Sequence, residues 1–381
     1  MSFEFTAQRW AWPGQAMGFH EGKAVFVGAV LPGETVLIEP VKTGKKHMEA
    51  RLIQVIDPSE QRIEPACPHF PTCGGCGLLH LSYEDQLALK KDQMKEQLQR
   101  QKIDVEPEIV ASPQVWFYRH KASLKPIGGQ IGLNRYRSSQ VLPIPHCKVL
   151  SEGIKKSITE LPGVAEKLGD LMAIESHRSG QIALVWNQKN RQKPQPGFGQ
   201  QVSENYGFGD VSLDAGLFAQ SNPAVVSLIL KAIQEATEGY DSICEHYAGS
   251  GTISHVVAPM AKEYHGFEAS VKAAKRGNQN LERLAVGSGT IKAQKAEQAT
   301  LPREAQLLVV DPPRSGMATE LIETTCRSNV DQIIYLSCDL QTQVRDLGKL
   351  KAQGGFQVQK ITSFDMYAHT GHQESLAILN R

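Results

Sequence analysis

From Gly216 onward the chain alternates apolar runs with helical patterns, and that alternation leaves few folds open. The helix-like PAVVSLILKAIQEAT leads into DSICEHYAGSGTIS, then EYHGFEAS, the helix-like VKAAKRGNQNLERL, and the apolar runs QLLVVDPP and QIIYLSCD. Runs so uniformly apolar are buried on both faces, as are strands of a mainly parallel sheet covered by helices. Residues 211–381 are therefore expected to form an α/β domain. Upstream the texture differs. Residues 1–58 hold short apolar runs broken by Pro13-Gly14, Gly18, Gly22 and Pro32-Gly33, the spacing of a small β-barrel. Residues 59–210 combine a cysteine-rich segment, Pro65 to His80, with a charged helical pattern over about 83–102 and β-branched or aromatic runs over 113–150. That helix is expected to pack on the C-terminal domain. Asn187 to Gln201 reads as a linker or loop.

Composition excludes whole classes. With 381 residues, 41% hydrophobic and 21% charged, the chain is neither disordered nor a disulfide-stapled miniprotein. No apolar run approaches a membrane span, and MSFEFTAQRW lacks the basic start and apolar core of a signal peptide. A cytoplasmic protein without membrane contact is expected. The net charge of +1 carries no global nucleic-acid signal. Locally, however, Ile109 to Ser151 contains no acidic residue and carries Arg119, Lys121, Lys125, Arg135, Arg137 and Lys148, so a basic face is expected there.

Four motifs carry chemistry. Cys67, Cys73 and Cys76, set among prolines and glycines, supply three corners of a tetrahedral sulfur site, and Cys147 can supply the fourth. Zinc and iron–sulfur remain equal on these residues alone, and buried unrelated thiols are the bland alternative. The loop Glu245-His246-Tyr247-Ala248-Gly249-Ser250-Gly251-Thr252 follows an apolar strand, where open α/β sheets bind nucleotides, with Glu268 about 20 residues on, placed to hydrogen-bond a ribose. Asp311-Pro312-Pro313-Arg314 ends the next apolar run and sets a carboxylate at the sheet edge; a helix-capping Asp is the simpler alternative. Ser337-Cys338-Asp339 and His372-Gln373-Glu374 offer a thiol and a carboxylate, the pairing for a nucleophile and a proton-abstracting base, although each alone is commoner as a buried thiol or a solvated charge.

Taken in order, these motifs resemble the bacterial RNA 5-methyluridine methyltransferase family, in its 23S rRNA branch and its tRNA relatives, over nearly the whole chain. GFHEGKAVFVGAVLPGETVLIEPVK resembles a TRAM domain, an OB-like RNA-binding barrel. CPHFPTCGGCGLLHLSYEDQLALK and IPHCKVL are similar to the segments that hold a 4Fe–4S cluster, and GLFAQSN, DPPRSGM, IIYLSCDLQTQVRDL and DMYAHTGHQESLAIL to the catalytic segments. The resemblance implies a TRAM barrel, a β-rich central domain with an iron–sulfur cluster, and a Rossmann-like S-adenosylmethionine-dependent methyltransferase domain. It implies Cys338 as nucleophile and Glu374 as base, with Cys67, Cys73, Cys76 and Cys147 on the cluster. It further implies Gln220, Tyr247, Thr252, Glu268 and Asp311 on S-adenosylmethionine, with Gly249 and Gly251 shaping the loop. The family's usual Asp and Cys in the glycine loop are Glu245 and Ala248 here, and its usual Asn-Pro after the nucleophile is Asp339-Leu340. Arg119, Lys121, Arg135 and Arg137 are expected to touch RNA, 23S rRNA before tRNA, with Trp116, Phe117 and Tyr118 as stacking candidates, in a monomeric enzyme. Two other readings compete. An amino-group methyltransferase commonly has an aromatic residue where Arg314 stands, and a non-catalytic RNA-binding protein would have no need to keep Cys338, Asp311 and Glu374 together.

Overall fold

A computed structural model describes residues 2–161, 169–188, 191–284, 289–298 and 300–381. The first unit is one six-stranded sheet of β1 (Phe3–Thr6), β2 (Arg9–Ala11), β3 (Gln15–His20), β4 (Lys23–Val27), β5 (Thr35–Thr43) and β6 (His47–Asp57), in the order β1-β5-β6-β4-β3-β2. Alternation of buried and exposed residues along β4 to β6 turns Val25, Val27, Val36, Ile38 and Ala50 onto a core shared with Phe5 and Ala16. The chain leaving this sheet is tied back by Arg62, whose guanidinium reaches both carboxylate oxygens of buried Glu34, at 2.5 and 2.6 Å.

The cysteine segment comes next, and then α1 (Tyr83–Arg100), which starts where Ser82 accepts the Asp85 N–H and where Glu84 and Asp85 oppose the positive end of the helix dipole. α1 packs against the C-terminal domain, its Met94 and Leu98 sharing a core with Leu347 and Leu350. After β7 (Glu108–Val110), the central unit runs through β8 (Lys121–Ile127), β9 (Gln130–Asn134), β10 (Val141–Pro143), α2 (Glu152–Thr159), β11 (Asp170–Glu175), β12 (Ile182–Gln188) and β13 (Arg191–Pro194), with sheet order β10-β9-β8-β11-β12-β13. The stretch Asn187 to Gln201 therefore differs from the linker expected, apart from Lys189 and Asn190, which lie outside the described residues. Arg191–Pro194 pairs antiparallel with β12, because the backbone hydrogen bonds of an edge strand do not depend on apolar side chains. A hairpin of β14 (Gln201–Asn205) and β15 (Asp210–Asp214) follows.

The C-terminal domain is a mixed α/β layer structure. Its elements are α3 (Pro223–Thr237), β16 (Ser242–His246), α4 (Ser254–Val257), β17 (Glu263–Glu268), α5 (Val271–Arg283), β18 (Gly289–Ala293), β19 (Leu307–Val310), α6 (Thr319–Arg327), β20 (Gln332–Ser337), α7 (Leu340–Gly354), β21 (Gln357–Phe364) and β22 (Glu374–Asn380). Eight strands line up as β18-β17-β16-β19-β20-β22-β21-β7. β16, β19 and β20 are buried along their whole length, as the apolar runs of β19 and β20 require and although β16 carries Glu245 and His246. The chain moves outward from β16 through β17 to β18 and then returns to β19 on the other side, so the strand order reverses between β16 and β19. A crevice opens there at the carboxyl ends of the strands. β22 enters antiparallel between β20 and β21, with Ser337 opposite Ser375 and Phe364 opposite Glu374. No helix among the described residues is long and apolar enough to cross a membrane.

Candidate functional site

Register alone brings the two reactive side chains together. Cys338 follows the last residue of β20 and Glu374 begins β22, and carrying the Ser337–Ser375 pairing one residue further sets Cys338 opposite Glu374. Asp311 follows β19, which lies beside β20 in parallel register, so it stands at the same edge. Gln220, from the loop before α3, donates from Nε2 to Oε1 of Glu374 at 3.2 Å. The second carboxylate oxygen of Glu374 has no partner although the residue is fully buried.

The electrostatics of this edge disfavour ionisation of its acidic groups. Burial raises the Glu374 carboxyl well above the usual carboxylate range, and the neighbouring Asp311 charge adds to the shift. Asp311 is pushed up to about 7 by burial. The Cys338 thiol is pushed up to about 11 by burial and by the Glu374 and Asp311 charges, while the hydrogen-bonded Arg314 guanidinium works the other way. Sequence reasoning used Arg314 only to weigh reaction classes; its position three residues after a strand-end carboxylate was the available sign that it reaches the thiol.

The glycine loop lies across the reversal point. Tyr247, Gly249 and Gly251 all take left-handed φ, +63°, +56° and +81°. A side chain at Gly251 would meet the Gly277 backbone of α5 at 3.1 Å, whereas nothing lies within 4 Å of the position a Gly249 side chain would take. The loop is thus packed on α5 at one glycine and bare at the other. Thr252 closes this loop, half-buried. Glu268, at the end of β17, accepts the Gly249 N–H at 2.9 Å and the Ser270 N–H at 2.6 Å, which leaves lone pairs on both oxygens. Tyr247 receives the Ala318 N–H on its hydroxyl at 3.1 Å. Glu245 lies under the loop, bonded to the Tyr264 hydroxyl at 2.6 Å and pushed up to about 7 by burial. Asp339 caps α7 by accepting the Thr342 N–H at 3.0 Å, and Leu340 is buried behind it, so the pair that departs from the family pattern starts the helix soundly.

The four expected metal-ligating cysteines share one place. Cys67, Cys73, Cys76 and Cys147 line a single small cavity of about 20 Å³, walled by Phe70, Trp116, Leu133 and Ile144 among others. Cys73 Sγ accepts the Gly75 N–H at 3.4 Å. Burial and the other thiols push Cys76 up to about 12, with Arg119 opposing. Among the described residues no three His, Cys, Asp or Glu side chains are arranged to hold a single ion.

A second cleft, of about 600 Å³, opens where the three units meet, and Gln15, Arg119, Tyr136, Arg137, Arg314 and Tyr367 line it among others. Arg119 belongs to it, with a buried Nε that has no partner. Arg137 also lines it but is shared: it pairs with Glu49 at 2.7 Å and donates to Gln15 at 2.9 Å, joining the first unit to the second. Arg135 is exposed, where its backbone bridges Cys73. Lys121 corrects the expected basic face. It is buried, its ammonium bonds the Ala215 carbonyl, and desolvation lowers it to about 7, so it presents no charge to a partner. Tyr118 is likewise buried, its hydroxyl donating to Ala368 O at 3.0 Å, and Trp116 packs tilted against His369 at 4.0 Å between ring centres. Phe117 lies under the Lys155 ammonium.

Comparison with known proteins agrees with this geometry. A family model described as tRNA (Uracil-5-)-methyltransferase matches residues 303–381, the segment from before Asp311 to the end. An uncharacterized RNA methyltransferase of Listeria innocua is 27% identical over 99% of this chain and 97% of its own length. One from Clostridium tetani is 28% identical over 96% of this chain and 93% of its own. The solved structure of the Pyrococcus abyssi tRNA (uracil-54, C5)-methyltransferase with S-adenosyl-L-homocysteine superposes with a TM-score of 0.78 at 21% identity, covering 99% of this chain and 100% of that one, and so shares the fold.

A thiol held near 11 is mostly un-ionised at neutral pH, which predicts slow alkylation of Cys338. Iodoacetamide modification, followed by peptide mass spectrometry, is expected to accelerate about tenfold per pH unit between roughly pH 7 and 10, and to slow at each pH in Arg314→Gln. A rate that levels off below about pH 9 would contradict the assigned environment.

Proposed function

Because the chain belongs to the RNA 5-methyluridine methyltransferase family, and is an enzyme that draws its methyl group from S-adenosylmethionine, we propose that it methylates C5 of a uridine in RNA through a covalent adduct of Cys338 that Glu374 resolves. The observation that carries this reading is the antiparallel register that sets Cys338 opposite Glu374 at the carboxyl edge of the sheet.

C5 of uracil is too weak a nucleophile to attack a methyl donor unaided. Addition of the Cys338 thiolate at C6 makes C5 an enolate-like carbon that can. Arg314, hydrogen-bonded to the thiol, favours the thiolate that addition requires. After methyl transfer C5 carries a methyl group and its original hydrogen, and the adduct collapses when a base removes that proton. Glu374 suits this step because a carboxylate raised by burial is a stronger base, once ionised, than one in water. Gln220 holds one of its oxygens and leaves the other free to take the proton.

S-adenosylmethionine, when bound, supplies an electrophilic sulfonium methyl. The residues fit it. Gly249 leaves bare backbone open to a ligand, Tyr247, Gly251 and Thr252 shape the same loop, and Glu268 keeps acceptor sites for a ribose hydroxyl. Asp311 and Gln220 adjoin Glu374, where the methyl-donor pocket would meet the reacting pair.

The donor set also fits a 4Fe–4S cluster. The four thiols share one apolar cavity, one of them already accepting a backbone N–H, and burial that disfavours the thiolates of Cys73 and Cys76 would be offset by the positive charge of a bound cluster. Cys67, Cys73, Cys76 and Cys147 would hold it. The first sheet would serve as a TRAM-type RNA-binding barrel, and Arg119 and Arg137 in the cleft, with Arg135 beside it, would meet phosphates. We favour 23S rRNA because the barrel and the four cysteines accompany that substrate in the family resembled. One finding favours tRNA instead: both the matched family description and the structural neighbour name a tRNA uracil.

Two experiments test this reading. With labelled 23S rRNA or tRNA transcripts and S-adenosylmethionine, Glu374→Gln is expected to accumulate a protein–RNA band on a denaturing gel, and Cys338→Ala to give neither band nor product. Turnover by Cys338→Ala would overturn the covalent route. Protein isolated without oxygen is expected to be brown with about four irons per chain, and Cys73→Ser to lose both; a colourless protein holding zinc would overturn the cluster.

A further inference from the structure

Helix α1 turns a polar stripe inward. Tyr83, Gln86 and Lys90 follow one another at i, i+3 and i+7 and so share a face, and Gln86 and Lys90 are buried. All three bind the segment 365–369 that runs up to Glu374. The Tyr83 hydroxyl donates to Asp365 Oδ2 at 2.7 Å, and the Lys90 ammonium bonds the other oxygen of Asp365 and the Tyr367 carbonyl, the latter at 3.2 Å. Gln86 Oε1 accepts the His369 N–H at 3.0 Å, while its Nε2 donates to the carbonyls of Leu78 and Leu81 at 3.1 and 3.0 Å. The His369 carbonyl in turn accepts the Gly77 and Leu78 N–H groups, at 2.9 and 3.0 Å, from the turn that follows Cys76.

This fastening is more than a core needs. His369 has φ +66°, a conformation that costs a non-glycine residue energy and persists where its surroundings over-determine it. A buried Lys–Asp pair is a poor source of stability compared with apolar packing. Glu374, by contrast, is held at its side chain by Gln220 alone among the described residues, so the position of its free oxygen depends on where the backbone enters β22. We propose that Gln86, aided by Tyr83 and Lys90, is a positioning residue for Glu374: the helix following the cysteine turn fixes the segment that delivers the base. The proposal rests on the role of base given to Glu374 above.

The test separates formation of the adduct from its collapse. Wild type, Glu374→Gln, Gln86→Met and the milder Tyr83→Phe are given 23S rRNA and tRNA transcripts tritiated at uridine C5, with S-adenosylmethionine. Adduct is read on a denaturing gel, and loss of the C5 proton as tritium released to water. In Gln86→Met, adduct formation and the KM for RNA are expected within about twofold of wild type, while tritium release falls roughly 10- to 100-fold and adduct builds up, the usual effect of displacing a reacting group by about 1 Å. Tyr83→Phe, which keeps its ring in the core, is expected to shift the same ratio by a smaller factor and decides the matter if Gln86→Met does not fold. Formation and release slowed in equal measure, or both unchanged, would overturn the proposal. If Glu374→Gln builds up adduct and neither helix variant does, only the positioning role falls; if Glu374→Gln builds up none, the base role falls and takes the proposal with it.

Discussion

The pairing of β20 with β22 is the constraint on which the site depends. A strand packed on both faces cannot slip by one residue without exchanging every side chain between those two faces. Here β20 is buried throughout and β22 nearly so, which locks Ser337 against Ser375. Cys338 and Glu374, well separated in sequence, are therefore held at one strand end by the same apolar packing that stabilises the sheet. The antiparallel entry of β22 matters as much as its register. A parallel strand would bring its far end to this edge, and the carboxylate at the start of β22 would lie on the opposite side of the molecule.

Around that pair, burial sets the chemistry. Glu374, Asp311 and Cys338 are all shifted toward their neutral forms, and each ionised neighbour would push the others further. Arg314 is the cation that counters this at the thiol. In the proposed reaction the thiolate forms against a guanidinium already in contact. The buried carboxylate of Glu245 has a different character: it sits beneath the glycine loop, bonded to the Tyr264 hydroxyl, and supports the loop from below.

Much of this was legible in the chain. Apolar runs mark β19 and β20, as strands buried on both faces favour. The spacing of Cys67, Cys73 and Cys76 anticipates a shared cavity, and Cys147 joins it. What stayed illegible depended on contacts between distant segments. Lys121 looks like any other cation of its basic stretch, and only the packing of β8 against the segment around Ala215 buries it. Arg137 reads as free until Glu49 is found beside it. The hairpin strand Arg191–Pro194 has the composition of a linker because its pairing uses backbone, which composition does not record. The inward stripe of α1 was hidden for a related reason: Tyr83, Gln86 and Lys90 resemble a solvated face, and what distinguishes them is the segment 365–369 that covers them.

The atom that receives the methyl group distinguishes the proposed reaction from every other RNA methylation. Unmodified 23S rRNA and tRNA are incubated with the protein and methyl-labelled S-adenosylmethionine, digested to nucleosides and separated by liquid chromatography with mass detection. Label appearing in 5-methyluridine is the predicted result. Label in an N-methylated purine instead, or in no nucleoside of either RNA, would contradict it.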